Sequence, residues 1–230
     1  EQVRAVRNAL PERCRSMVDV AAGCGLRQGE VFGLAVEDVD FLSGLLHVIR
    51  QVKIVENQFV FAPPKGGKTR DVPLAESVGF VLAEHITRFP PLAASLPWMA
   101  PGGEATTANL LFSTRYRKVT NRKDFNDRVW RPALAVAGVI APPEEGWRCE
   151  PSRENGIHAL RHLYASTLLD AGETIKAVSE YLGHSDPGFT LRTYTHLMPT
   201  SQSRARDAVD RLLTELSETP DGPRTAQSQT

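Results

Sequence analysis

The chain has 230 residues, 41% of them hydrophobic, with 27 lysines and arginines balanced by 27 aspartates and glutamates. That is enough apolar material for one large domain with its own core, and no apolar run is long enough to span a bilayer. Cys14, Cys24 and Cys149 are odd in number and scattered, which argues against a disulfide framework or a cysteine metal site and fits buried fillers in a reducing cytoplasm.

The N-terminus starts inside a polar helical pattern, so no signal peptide is expected. Val3, Val6 and Leu10 mark a first helix ending near Pro11. A second covers Arg13 to Ala22 and is ended by Gly23 and Gly25, and "LRQGEVFGL" opens a short third. From Leu45 to Leu74 the sequence is rich in Val, Ile and Phe with a turn signal at Glu56-Asn57, which predicts a small antiparallel sheet. "ESVGFVLAEHITRF" reads as a helix with Val78, Val81, Leu82 and Ile86 inward, and Leu92 to Asn109 as a surface loop. Asn121 to Ala137 fits a helix, a long loop follows, and from Ile157 nearly to Ser217 the pattern is helical, cut at Gly172, Gly183 and Pro187. Asp221 to Thr230 is a polar tail with nothing to order it. The sum is an α+β chain, mainly helical with one small sheet.

"PPKGGKTRDVPL" ends in Gly-Gly-Lys-Thr, like the close of a P-loop. Ala62 stands where that motif needs its first glycine, and Val72-Pro73 ends a strand where the motif needs a helix. Gly66-Gly67 therefore reads as a turn, with Lys65 on a hairpin tip. Basic residues cluster here (Lys65, Lys68, Arg70) and in "STRYRKVTNRKDFNDRVWRP" (Arg115, Arg117, Lys118, Arg122, Lys123). Composition alone leaves a solvated face and a DNA-facing one equally open.

Arg27 and Glu30 are three apart and can pair on a helix. In "HALRHLYAS", His158, Arg161 and His162 share one face, opposite Leu160, Leu163, Thr167 and Leu168. The two histidines have zincin spacing, but Ala159 replaces the catalytic glutamate, which argues against zinc. His184 and Tyr194 follow in "LGHSDPGFTLRTYTHLMP". Together these are the parts needed for attack on a phosphodiester. Arginines hold the non-bridging oxygens and the charge that grows on them. A tyrosine can be the nucleophile, and a lysine can protonate the leaving oxygen. The set calls for neither metal nor nucleotide cofactor.

In their order these motifs resemble the catalytic domain of the tyrosine recombinase, or phage integrase, family. "GLRQGE" matches the first arginine motif, Lys65 to Leu74 the sheet-borne lysine and its "R-x-V-P-L" strand, His158 and Arg161 the H-x-x-R box, "LGHS" the His184 box, and "TYTH" the nucleophile Tyr194. The resemblance runs from about Val3 to about Leu216 and implies a catalytic domain over residues 1–217, a disordered tail over 218–230, and no N-terminal core-binding domain in the chain. It implies a site-specific recombinase that cuts and rejoins DNA through a 3′-phosphotyrosine, serving a phage, plasmid or other mobile element in the bacterial cytoplasm at the nucleoid. Arg27 and Arg161 would clamp the phosphate, Lys65 would protonate the 5′-oxygen, His158 would be base or proton relay near the tyrosine, and His184 would donate to a phosphate oxygen. Glu30 and His162 would support them. Lys68 competes with Lys65 for the acid role. Lys68, Arg70, Arg115, Arg117, Lys118, Arg122 and Lys123 would contact DNA. The partners implied are double-stranded attachment sites, with a homotetramer on DNA and a monomer for the isolated domain. The segment after the nucleophile would dock on a neighbouring protomer. A type IB-like topoisomerase and a non-catalytic DNA-binding domain are the alternatives.

Overall fold

Helix α2 (Glu12–Cys24) lies at the centre. Cys14, Ser16, Met17, Val18, Val20, Ala21 and Cys24 are all buried, so α2 is covered on several sides. The computed structural model describes residues 1–146, 148–150, 154–184, 186–194, 209–210 and 213–214. In it, α1 (Gln2–Ala9), α4 (Glu76–Arg88) and α7 (His158–Asp170) pack on α2. α8 (Ile175–Leu182) leans on α7, and α9 (Pro187–Tyr194) on α8. One apolar core runs from Val6 to Tyr194. The mainly helical α+β class expected from the sequence is the class observed. Residues 218–230 and most of the last expected helix lie outside the described residues. Among those described, no helix is long and apolar enough to cross a membrane.

Two glycines shape how these helices pack and where α2 ends. Gly23 lies inside α2 and does not end it. A Cβ there would come within 2.6 Å of Val78 Cγ2, so the glycine lets α4 approach. Gly25 caps α2 with φ +64°, and from there the chain turns into α3 (Gln28–Gly33).

In place of the single sheet expected, the described strands form three small antiparallel sheets, two of them along one long hairpin. β3 (Gln51–Val55) and β4 (Gln58–Ala62) pair across Glu56 and Asn57, both left-handed at φ 47° and 62°, as a two-residue turn requires. β2 (Leu45–Val48) pairs with β1 (Val39–Asp40) on one side and β5 (Arg70–Pro73) on the other. Gln51 faces Ala62 and Val48 faces Arg70, so residues 63–69 lie opposite only residues 49 and 50. They form a loop thrown out of the hairpin's side. Lys65 sits on this excursion and not on a hairpin tip. Its turn is closed by Gly67 N donating to Pro64 O at 2.9 Å, with Gly66 and Gly67 at positive φ.

Residues 92–109, expected to be a loop, instead form most of a second hairpin, β6 (Leu92–Pro97) with β7 (Ala105–Leu110). Its strands are built from Ala, Ser and Thr, and only Ala94, Ala108 and Leu110 are buried, so the apolar alternation is faint. The expected helix 121–137 forms as α5 (Arg122–Phe125), a wide turn over Asn126–Trp130 and α6 (Arg131–Val136). Arg131 N donates to Asn126 O, five residues back, just before Pro132. Proline brings no N–H to the next turn and crowds its carbonyl, and the widening accommodates both.

Gly25→Ala would place a Cβ 2.4 Å from Tyr164 Cδ1 while forcing alanine into the left-handed region. The expected loss is about 2–5 kcal/mol of stability, overpacking and backbone strain added. Urea denaturation measures it.

Candidate active site

Glu30 stands in the third position of α3 and is 1% exposed. Its Oε2 accepts from the Arg27 backbone N–H at 2.8 Å, which caps the helix. Oε1 takes the Arg27 guanidinium at 3.0 Å. Arg70, from the start of β5, donates to both oxygens at 3.1 and 2.7 Å. An ionised carboxylate has about four acceptor sites, and all are used. Burial alone would raise this carboxyl, but Arg70, the Arg27 N–H and the Arg27 guanidinium outweigh it and hold it below its ordinary range. Arg70 also donates through Nε to Tyr181 O at 2.7 Å. Its placement among surface DNA contacts is therefore corrected: the guanidinium is engaged inside the protein. Strand alternation carried the signal, since Arg70 shares a face with the buried Val72 and Leu74.

Arg161 also belongs to the interior. The sequence pattern puts it on a polar face with both histidines, but α7 is rotated so that Leu160, Arg161, Tyr164, Ala165 and Leu169 are buried, while Leu163 and Thr167 are exposed. The guanidinium, 1% exposed, donates to Gly25 O at 2.7 Å and to Leu182 O. Two carbonyls from either side of the pocket thus fix its plane. Desolvation, with Arg27 and Arg70 nearby, lowers its pKa to about 9.

The imidazoles surround this charge. His158 and His162 meet edge to face with ring centres 4.7 Å apart. Desolvation, His162, Arg161, Arg27 and Lys65 lower His158 to about 4. His184, just past α8, pairs its Nδ1 with Thr190 Oγ1 at 2.7 Å. Desolvation and the three arginines lower it to about 4 as well. Both rings are therefore neutral at pH 7. Tyr194, at the end of α9, is 3% exposed, and its hydroxyl lies 2.7 Å from His162 Nδ1. Burial raises this phenol, and Arg161 partly offsets that. The ring on the tyrosine is thus His162, expected only as a supporting residue, and not His158.

The structure brings together Arg27, Glu30, His158, Arg161, His162, His184 and Tyr194, with Lys65 close enough to act on His158. Lys68, Lys118 and Arg122 are exposed. Arg115 lies over the Tyr116 ring, and Lys123 pairs with Asp127 at 3.1 Å. Arg117 donates to Pro90 O and, at 2.9 Å, to Pro91 O, anchoring the entry to β6. Gln28, next to Arg27, bonds Asn126 of the wide turn at 2.7 Å and ties the basic helix to the pocket. Tyr164, Trp98 and Trp130 pack into the core or against it.

This is the fold of integrase catalytic domains. The catalytic domain of bacteriophage HP1 integrase superposes with a TM-score of 0.54 at 18% identity, covering 90% of each chain. The integrase of transposon Tn1549, solved in complex with transposon right end DNA, gives a TM-score of 0.65 at 22% identity over 88% of this chain and 59% of that one. The sequence profile of the phage integrase family matches residues 1–201, and the chain belongs to that family. Among its relatives are a XerC-like tyrosine recombinase of Caldanaerobacter subterraneus subsp. tengcongensis, 29% identical over 92% of this chain and 53% of the relative, and tyrosine recombinase XerD of Proteus mirabilis, 31% identical over 80% and 48%. The chain spans about half the length of these relatives.

Glu30→Gln removes the anion between two guanidinium groups, and a loss of about 3–5 kcal/mol is expected. The wild-type carboxyl is depressed on folding, so its contribution is full above the unfolded value and is lost as pH falls below about 4.3 and through the folded value. Denaturation curves between pH 3 and 7 should lose that acid limb in the variant.

Proposed function

We propose that the chain is the catalytic part of a site-specific DNA recombinase that breaks and rejoins strands through a 3′-phosphotyrosine. The observation that carries this reading is a buried tyrosine whose hydroxyl meets an imidazole beside a buried guanidinium cluster. Tyr194 Oη attacks the scissile phosphorus, the bond to the 5′-oxygen breaks, and Lys65 supplies that oxygen's proton. A 5′-hydroxyl then attacks the phosphotyrosine and reseals the strand. The ester energy is kept in the link, so the exchange needs no input from a nucleotide triphosphate.

Arg27 and Arg161 are the phosphate clamp. Both arrive pre-oriented, one by Glu30 and the other by two carbonyls, so little ordering remains when phosphate binds. With Thr190 donating to Nδ1, neutral His184 keeps Nε2–H as a donor for a phosphate oxygen. His158, neutral at the mouth of the pocket, is the candidate for base or proton relay in the family pattern.

Double-stranded attachment sites are the partner this reading requires. The complex of the Tn1549 integrase with transposon DNA supports DNA as the partner class. A tetramer on DNA, service to a mobile element, and work at the bacterial nucleoid belong to the same reading. Exposed Lys68, Lys118 and Arg122 are candidate backbone contacts, and binding through them should weaken with salt.

A library of nicked duplexes with a randomised core tests the reading, because strand loss at the nick traps the covalent intermediate. The wild type should yield a denaturant-resistant protein–DNA adduct on a subset of sequences, and Tyr194→Phe none. An adduct that survives in Tyr194→Phe, or no adduct on any duplex with Tyr194 intact, would sink it.

A further inference from the structure

We infer that His162, through Nδ1, is the base that takes the proton of Tyr194 during cleavage and returns it during rejoining. The inference rests on the recombinase reading and departs from it by moving the proton from His158 to the next histidine along α7.

The geometry is direct. His162 Nδ1 and Tyr194 Oη are 2.7 Å apart, within hydrogen-bond reach, and the two rings are 5.6 Å apart and tilted by 54°. A base must reach the proton it removes before its strength matters. His158 meets the edge of His162 and has no hydrogen bond to the tyrosine. The helix explains the division. Residues 158 and 162 are one turn apart on α7 and flank buried Arg161, and the second meets Tyr194 at the end of α9.

Charge favours the same assignment. Among the described residues, the groups around His162 are Arg161 and His158 on its own helix and Tyr194 on α9, with Arg27 and Lys65 acting on His158 from α3's start and the 63–69 loop. Desolvation and Arg161 lower His162, so the ring is neutral at pH 7 and free to accept. The step balances as follows. Oη–H gives its proton to Nδ1 as Oη bonds to phosphorus, and the P–O5′ bond breaks with its electron pair on oxygen. Lys65 protonates that oxygen. In rejoining, the incoming 5′-hydroxyl gives its proton to the neutral lysine, and Nδ1–H returns its proton to Oη as the phosphotyrosine bond breaks. The imidazolium formed between the steps is favoured by the phosphate's negative charge, although Arg161 opposes it.

Adduct formation by the wild type should be nearly independent of pH above about 6.5, where neutral imidazole is already the major form. In His162→Gln the rate should drop about 100-fold at pH 7, and should then climb about tenfold per pH unit toward the tyrosine's own ionisation, which burial raises above the ordinary phenol range. A duplex with sulfur in place of the bridging 5′-oxygen separates base from acid, since a thiolate leaves without a proton. Lys65→Ala should be rescued on it, and His162→Gln should not. Equal rescue of both, or an unchanged rate and profile in His162→Gln, would overturn the inference. A measurement without DNA guards against confusion with the recombinase reading. Imidazole 15N resonances should report His162 with a bare, hydrogen-bonded Nδ1 and a protonated Nε2, and Tyr194→Phe should move Nδ1 alone downfield. A proton resident on Nδ1 at neutral pH would refute the base role even in a competent recombinase. Failure of the wild type to form any adduct would remove the recombinase reading, and the base role with it, whatever the resonances report.

Discussion

Glu30 is one carboxylate among three guanidinium groups. Arg27 and Arg70 bond it directly, and its charge is felt by Arg161. Two positive charges remain uncompensated in a site shielded from water, in a chain whose net charge is zero. Without Glu30, three like charges would repel one another where solvent cannot screen them. With it, they are held in place and still in excess. Burial first, and that excess after it, lower His158, His184 and Arg161 together. An anion placed among these groups would relieve the repulsion, so the charge arrangement favours an anion.

The fold delivers these charges from four places in the sequence. Gly25 has a central part. Its left-handed backbone ends α2, its bare Cα lets the Tyr164 ring pack close, and its carbonyl holds Arg161. Two residues later the chain starts α3 with Arg27 as its cap and Glu30 one turn in. The long hairpin adds Arg70 on its inner face and then, by looping out residues 63–69, swings Lys65 to the open side of the same pocket. A strand supplies the buttress and the adjoining loop supplies the exposed lysine, so rigidity and reach come from one element.

Much of this was legible in the sequence because it is local. Motif residues, helix spans, the Glu56-Asn57 turn and the α+β class follow from spacing and turn chemistry over a few residues. What was not legible depends on distant partners. Arg70 looked like one more basic residue near a turn, because the carboxylate it serves lies 40 positions away. Arg161 looked solvent-facing, because a buried guanidinium is tolerable only where carbonyls such as Gly25 O and Leu182 O await it, and these come from other elements. The β6–β7 hairpin was missed since its Ala and Thr strands bury too little to mark a period. His162 could be placed on the right helix but not opposite the right hydroxyl.

The position of the buried tyrosine follows from the same bonds. Tyr194 ends a helix of eight residues, too short to be stable alone, so its placement must come from outside. Midway along α9, Thr190 is tied to His184. At its C-terminal end, the tyrosine hydroxyl is tied to His162. Arg161 in turn holds the carbonyl of Leu182 at the end of α8, ahead of α9. The arginine and imidazoles of the site are thus the groups that hold the tyrosine. A change in their charge acts on its aim and on its electrostatics at once, and the two cannot be tuned separately.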